Sequence, residues 1–505
     1  MKKIYNLLIG AVLSTTLLSS CDNFEKLNTN PDSPTTVTPE MLATKLIMST
    51  AAPSYAKAFV NPSILIKQMA WAEGAHDYQY NKMGRSSFGR YTTLINGIKL
   101  QELAAGENRN AYLALDKFVK AFTIYYASME MGDVPYSQAL QGESDNITPK
   151  YDSQKEVMMQ VLADLDQAYT LFGKSTNFMG DPIYQGDVNK WKKAVASFQL
   201  KVLMSLSQVA DDADLKVKDR FADIVAQKTI FESNEDNYQL VFSSKKNQRY
   251  PLFHEDFRWH MYPMLSTMIV DVMKQNKDYR LFYLAEPAAS KIKVGKTVND
   301  WDSYIGVDPM IPFNEISDKY SQGEYCDLNA RYKQLASGEP YITIGYADQC
   351  FILAEAAVRG WITGSADDYY KKGIEASMRF IAKNTPKEYA HDMEMTDEVI
   401  ANFLQSPAIQ LDKGAENGLE MILTQRYLAL FLHSSWDSYF DYRRTGYPKL
   451  PIHVDTSLNE VKEELPMRWM YPENESQFNK QNLKEALDRQ FNGSDDRNKK
   501  MWILK

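Results

Sequence analysis

The sequence is short of the residue types that build most catalytic and metal centres. Only three cysteines occur in 505 residues, Cys21, Cys326 and Cys350. None forms a C-x-x-C pair, so neither a disulfide-stapled scaffold nor a structural zinc site is expected. The six histidines (His76, His254, His260, His391, His433 and His453) include no H-E-x-x-H, and His254-Glu255 lacks a second histidine at the required spacing. There is no G-x-S-x-G nucleophile elbow and no phosphate-cradling P-loop. Adjacent acids such as Glu255-Asp256 are a poor glycosidase signal, because that chemistry needs two carboxyls facing each other across a bond. No run of Lys and Arg stands out and the formal charge is −8, which argues against a nucleic-acid partner. These absences point away from an enzyme and give no reason to expect a cofactor or a metal.

Long apolar runs are also scarce. The one that exists opens the chain: Met1-Lys2-Lys3, then apolar residues from Ile4 to Leu18. It is shorter than the roughly 20 residues of a membrane span and reads as a secretory signal. It closes as Leu18-Ser19-Ser20-Cys21, which resembles the bacterial lipobox. In that motif the cysteine thiol takes a diacylglyceryl group and cleavage leaves the cysteine first. The alternative is an ordinary secretory signal with an incidental cysteine. Residues 1–20 are therefore expected to be a lipoprotein signal, with Cys21 lipidated and anchored stably by more than one acyl chain. Residues 22–40 are polar with three prolines and suit an extended tether.

From Thr38-Pro39-Glu40 onward helical periodicity dominates, with Thr as N-cap and Pro at the first helical position. Amphipathic helices are predicted over Met41–Ala51, Ala111–Met131, Gln154–Phe172, Trp191–Leu206, Tyr346–Arg359, Asp367–Ala382 and Leu419–Phe440. In "WKKAVASFQLKVLMSLS" the stripe Trp191, Val195, Phe198, Val202, Leu206 is apolar, with Lys192, Lys193, Gln199 and Lys201 opposite. "YADQCFILAEAAVRG" and "DDYYKKGIEASMRFIA" form a helix pair with Ala354, Ala356 and Ala376 where they cross, in the manner of a tetratricopeptide unit. Strand signal is limited to Tyr238–Ser243, and residues 287–340 have no strong periodicity. Cys326 and Cys350 are open between a disulfide and two free thiols, the latter because Cys350 sits in an apolar helical pattern.

Six separated motifs, in order, resemble the SusD/RagB family: Gly132-Asp133-Val134-Pro135-Tyr136 with Ala139-Leu140; "TPKYDSQKEVMMQVLADLDQA"; "DPIYQGDVNKWKKAVASFQLKVLMSLS"; "FILAEAAVRGW"; "QRYLALFLHSSWDSYFDYRRTGYP"; and "PMRWMYPENESQFN". They span about residues 130–480. The sequence departs from the family pattern at "YADQC", where many members have an acidic residue followed by an apolar one. The resemblance implies a mainly α fold, with tetratricopeptide-like helix pairs as scaffold, long irregular loops and little strand, forming one large domain over residues 41–505. It implies a surface lipoprotein on the outer membrane that binds nutrients, most often glycans, and partners a TonB-dependent, SusC-like transporter barrel without doing bond chemistry itself. A structural or adhesive surface protein on the same scaffold, or a glycosidase, are the readings to be weighed against it. Within the motifs, Asp133-Val134-Pro135 reads as a turn. Arg443-Arg444 read as structural, pairing carboxylates or capping carbonyls.

The ligand surface is sought where flat aromatics sit beside polar side chains, because sugars offer apolar C–H faces ringed by hydroxyls. The chain's 31 Tyr, 22 Phe and 8 Trp supply ample material. "WAEGAHDYQYNKMGR" brings Trp71, His76, Tyr78, Tyr80, Asn81 and Arg85, with Tyr78 and Tyr80 alternating so that both would face one side. "NDWDSYIG" brings Asn299, Trp301, Asp302 and Tyr304 in the aperiodic region. Trp71 is open between this role and core packing on a helix through "SILIKQMAWA", and Trp301 between this role and core packing.

Overall fold

A computed structural model describes residues 36–505 apart from Lys413 and Ser435; the signal segment, Cys21 and the tether as far as Thr35 lie outside the described residues. The first helix, α1 (Pro39–Ala51), begins as the local chemistry dictates: the Thr38 side chain accepts from the Met41 N–H and Pro39 opens the turn. The longest helix, α2 (Arg109–Met131), packs along α3 (Gln154–Phe172), which Ser153 and Glu156 start with a reciprocal capping box. Helix α4 (Val188–Ser205) is capped by the Asp187 side chain and lies against α3. The second helix pair is α5 (Tyr346–Val358) with α6 (Ala366–Lys383). Gly373 lets the pair close up, since a Cβ there would stand 2.8 Å from the Phe351 ring. Helix α7 (Ala415–Ala429) packs on α5, and α8 (Asp437–Thr445) follows. The fold is mainly α, built on tetratricopeptide-like pairs, with four short strands among the described residues.

The strands pair far along the chain. β1 (Met69–Trp71) and β2 (Tyr238–Leu240) run antiparallel to β3 (Pro263–Leu265) and β4 (Tyr341–Ile344) respectively, with Trp71 opposite Pro263. A contiguous apolar core runs from Leu42 to Leu504 and takes in the α4 stripe of Trp191, Val195, Phe198, Val202 and Leu206.

Several expectations need correction. The predicted helix Leu419–Phe440 is two helices, α7 and α8. Between them Leu432 and Ser434 adopt positive φ, and the Ser434 N–H donates to the Ile342 carbonyl at 2.9 Å, so the chain turns to meet β4. The opposite side of α4 is not all solvent: Gln199 and Lys201 are buried, the latter between Asp348 and Asp437. The aperiodic stretch 287–340 holds short helices at Ala289–Lys293, Phe313–Gln322 and Arg331–Gln334. Trp71 lies on β1 rather than on a helix, because the preceding helix stops at Leu65. Of the two readings left open for Cys326 and Cys350, the structure has the free thiols, both buried.

Arg443 and Arg444 divide the two roles read for them. Arg443 donates to the carbonyls of Met129 and Met467, each at 2.7 Å. Arg444 grips Glu355 with both terminal nitrogens and reaches Asp441 at 3.0 Å. That grip belongs to a buried set of alternating charges. Lys201 pairs with Asp348 and Asp437, Arg426 with Asp348 and Asp441, and Arg359 with Glu355. Helices α4, α5, α7 and α8 are tied together there, each charge answered by an opposite one as burial requires.

Candidate ligand-binding site

Strand pairing between β1 and β3 fixes Trp71 where its ring is 1% exposed while its indole N–H still reaches out, donating to Glu73 Oε2 at 3.3 Å. The other carboxylate oxygen of Glu73 accepts from the Trp259 indole N–H at 2.9 Å. Lys57 pairs with the same carboxylate, its ammonium 4.9 Å from the Trp259 ring centre and 5.5 Å from that of Trp71. The guanidinium of Arg258 covers Trp259 at 4.1 Å. Burial pulls the Glu73 carboxyl upward, but the hydrogen bonds from Lys57, Trp71 and Trp259 outweigh it and hold the pKa below the usual range.

From Trp71 a row of rings continues. His76 meets it edge-on at 6.1 Å, and Tyr78 stacks on His76 at 6.0 Å. Trp436 follows at 5.6 Å from Tyr78, and Trp469 at 4.9 Å from Trp436. His76 and Tyr78 are half-buried, as is Trp436. Burial, with the Lys57 charge assisting, lowers the pKa of His76, so the ring is neutral at neutral pH, and its Nδ1 is buried without a hydrogen-bond partner among the described residues.

The segment carrying this row is held from below. Lys67, fully buried and in the left-handed region, donates to the carbonyl of Gln79 at 2.6 Å and to Asn81 Oδ1 at 2.7 Å. With no carboxylate in hydrogen-bond reach, burial brings its pKa down to about 7. Residues 77–81 form turns rather than a strand, so the expected alternation of Tyr78 and Tyr80 does not apply: Tyr80 is buried, its hydroxyl donating to the Ile311 carbonyl at 3.0 Å. Asn81 is buried, donating to Ser457 Oγ at 3.2 Å. Arg85 donates to the Tyr471 carbonyl and to Asp495, both at 2.8 Å. Trp71, His76 and Tyr78 thus form one row, while Tyr80, Asn81 and Arg85 fasten the loop that bears it.

The second stretch lies in other surroundings. Trp301 is half-buried on a 3-10 turn, edge-on to Phe282 at 4.6 Å, with the Lys277 ammonium 4.9 Å over its ring. Asn299 and Asp302 are exposed. Tyr304 is fully buried and donates to the Val298 carbonyl at 2.7 Å. Sequence reasoning missed Lys57, Glu73, Trp259, Trp436 and Trp469. A signal existed for Trp259, which stands in the aromatic, non-helical run "FRWHMY". Trp436 was hidden by being assigned to a helix interior.

Among the described residues no helix is long and apolar enough to cross a membrane, and no cluster of His, Cys, Asp and Glu is grouped to hold a metal ion. A family model, SusD-like, described as starch-binding and associating with the outer membrane, matches residues 31–472. A solved SusD homolog from Bacteroides fragilis is 53% identical, with a TM-score of 0.91 over 93% of this chain and all of that one. A Bacteroides vulgatus outer-membrane protein, whose name proposes a part in nutrient binding, is 32% identical at TM-score 0.83, with the same coverage. A protein named as chitin-binding is 25% identical at TM-score 0.75, again over 93% of this chain and all of that one. No curated protein matches the chain.

Proposed function

Because the chain belongs to the SusD-like family of nutrient-binding, outer-membrane-associated proteins, we propose that it is a cell-surface lipoprotein that captures an oligosaccharide and hands it to a TonB-dependent, SusC-like barrel. The observation that carries the glycan reading is the set of half-exposed rings Trp259, His76, Tyr78 and Trp436, seated around the buried Trp71, with Glu73 and Lys57 beside it. Flat faces take the C–H side of a sugar, and the polar groups take its hydroxyls. Asn299 and Asp302, exposed beside the half-buried Trp301, offer a second contact surface for a longer oligomer. The protein binds and does not cleave, and the lipid on Cys21 supplies the membrane attachment.

The test is titration calorimetry against a panel of soluble oligosaccharides that includes maltohexaose and chitohexaose. At least one is expected to bind. Trp259→Ala is expected to weaken that binding at least tenfold, since a central aromatic anchor is worth about 2 kcal/mol or more. Its ring is half-exposed, so helical circular dichroism stays at wild-type level. Trp301→Ala is expected to cost affinity for long oligomers only. Normal binding by the Trp259 variant sinks this placement of the site, and release of reducing sugar from the bound oligomer sinks the non-enzymatic reading.

The anchor is tested separately. Cys21→Ser is expected to move the protein from the membrane fraction to the soluble fraction, and full retention on the cell surface overturns the lipid assignment.

A further inference from the structure

Beyond Trp436 the ring row opens onto a cleft of about 480 Å³, within the roughly 300–1,000 Å³ of small-molecule sites. Its walls come from α1, the turn Gly89–Leu94, α2, β4, and the residues Ser434 and Trp436. Hydroxyls dominate the lining, and some have nothing to bond. Thr123 is 8% exposed, yet neither its hydroxyl nor that of Thr93 makes a hydrogen bond among the described residues. Neither oxygen is among the fully buried ones, so both stand open to the cleft, free to donate to or accept from water or a ligand.

Charge gives the cleft its sign. Glu130, 5% exposed, accepts from Arg90 Nη2 at 2.5 Å and from Ser86 Oγ at 2.6 Å. Its one negative charge is thereby answered, while Nε and Nη1 of Arg90 hold no partner among the described residues. Lys45, exposed on the α1 wall, forms no ion pair there either. Two cations therefore face one carboxylate, in a chain whose overall charge is −8. A positive cleft in an acidic protein is a local device rather than a general field.

We propose that this cleft receives an anionic sugar unit of the captured glycan, its charge a carboxylate or a sulfate ester, held between Lys45 and the free edge of the Arg90 guanidinium. The hydroxyls of Thr93 and Thr123 meet those of the sugar. Arg90 is suited to the task because its planar donors match an oxyanion. The proposal rests on the reading of the chain as a glycan binder, and it makes the protein selective for acidic over neutral glycans.

Saturation-transfer NMR on the full mature protein tests it, with galacturonate, glucose 6-sulfate and glucose as separate probes at millimolar concentration. At least one anionic sugar is expected to receive saturation well above glucose. Lys45→Glu is expected to weaken that contact at least tenfold; the side chain is exposed and touches no described partner, so the variant folds. Lys246→Glu, at an exposed lysine outside the cleft lining, is expected to leave the monosaccharide contact within twofold. If neither anionic sugar exceeds glucose, or if Lys45→Glu binds them as wild type does, the proposal is overturned. The oligosaccharide titration of the Trp259 variant is read independently, so a failed cleft and a failed glycan reading give different results.

Discussion

Arg444→Ala is expected to lower the stability of the protein by about 3–5 kcal/mol, the cost of stranding a buried charge. With an unfolding entropy of roughly 2.1 cal/mol/K per residue, a chain of 505 residues should lose about 3–5 °C in melting temperature. The reason is Glu355, 0% exposed, which Arg444 meets with both terminal nitrogens, while Arg359 approaches from the partly open side at 2.8 Å. Burial alone would raise the Glu355 pKa, but the Arg444 charge overcomes it and holds it at about 2, against an ordinary value of 4.5. Glu339 behaves alike, held at about 2 chiefly by Arg331 at 2.7 Å, with His433 at 3.3 Å. Between those limits the folded chain binds fewer protons than the unfolded one. The stability these carboxylates contribute is therefore complete above about pH 4.5 and is lost as pH falls toward 2. Differential scanning at stepped pH should show the melting temperature falling below about pH 4.5, and a shallower fall in Arg444→Ala, where Glu355 has lost the charge that holds its pKa down. The double variant Arg444→Met, Glu355→Leu should recover part of the loss. A single variant that melts within a degree of wild type would show that the ion pair does not hold these helices.

Gly186→Ala should be nearly as damaging, at about 3 kcal/mol or more. Gly186 has φ +82°, and a Cβ there would fall 1.8 Å from the Phe178 carbonyl oxygen, a backbone atom that cannot step aside. The loop around it is organised by Asp181. That carboxylate accepts from the Gly186 N–H at 2.9 Å, from the Ile183 N–H at 2.8 Å and from the indole of Trp191 at 2.8 Å. Displacing Gly186 thus disturbs the seat of the fully buried Trp191 and the start of α4. The expected readouts are a lowered denaturant midpoint and a red-shifted tryptophan emission. Wild-type behaviour in both would mean that the loop finds room the geometry does not offer.

The sequence disclosed what local chemistry decides. Thr38 and Pro39 start α1 because a cap and a ring-fixed φ act within one turn, and Trp191 to Leu206 announce a buried stripe because their spacing alone places them on one face. What it concealed depends on partners far along the chain. Trp71 becomes a strand residue through pairing with Pro263–Leu265, and no local pattern signals that. Lys201 looked like a surface lysine until Asp348 and Asp437 closed over it. The candidate site divided on the same line. Trp71, His76 and Tyr78 were legible as a polar aromatic cluster, but Glu73, Lys57 and Trp259 join them only through folding. Tyr80 and Asn81 share that composition and are turned inward by hydrogen bonds to residues 311 and 457, while Arg85 stays exposed but is tied to residues 471 and 495.

The alternating charges on α4, α5, α7 and α8 also bear on the order in which this chain can mature. Lys201 leaves the ribosome well before Asp348, and Asp437 and Arg444 come later still. Until residue 348 has been made, the amino-terminal helices would have to bury an ammonium with no counterion, which costs several kcal/mol, and its second carboxylate arrives only at residue 437. A nascent chain therefore has a thermodynamic reason to stay loose at α4 until those later segments exist. If the chain is exported, as proposed above, that delay is useful: the same residues that lock the finished scaffold keep the unfinished one pliable for passage through a membrane.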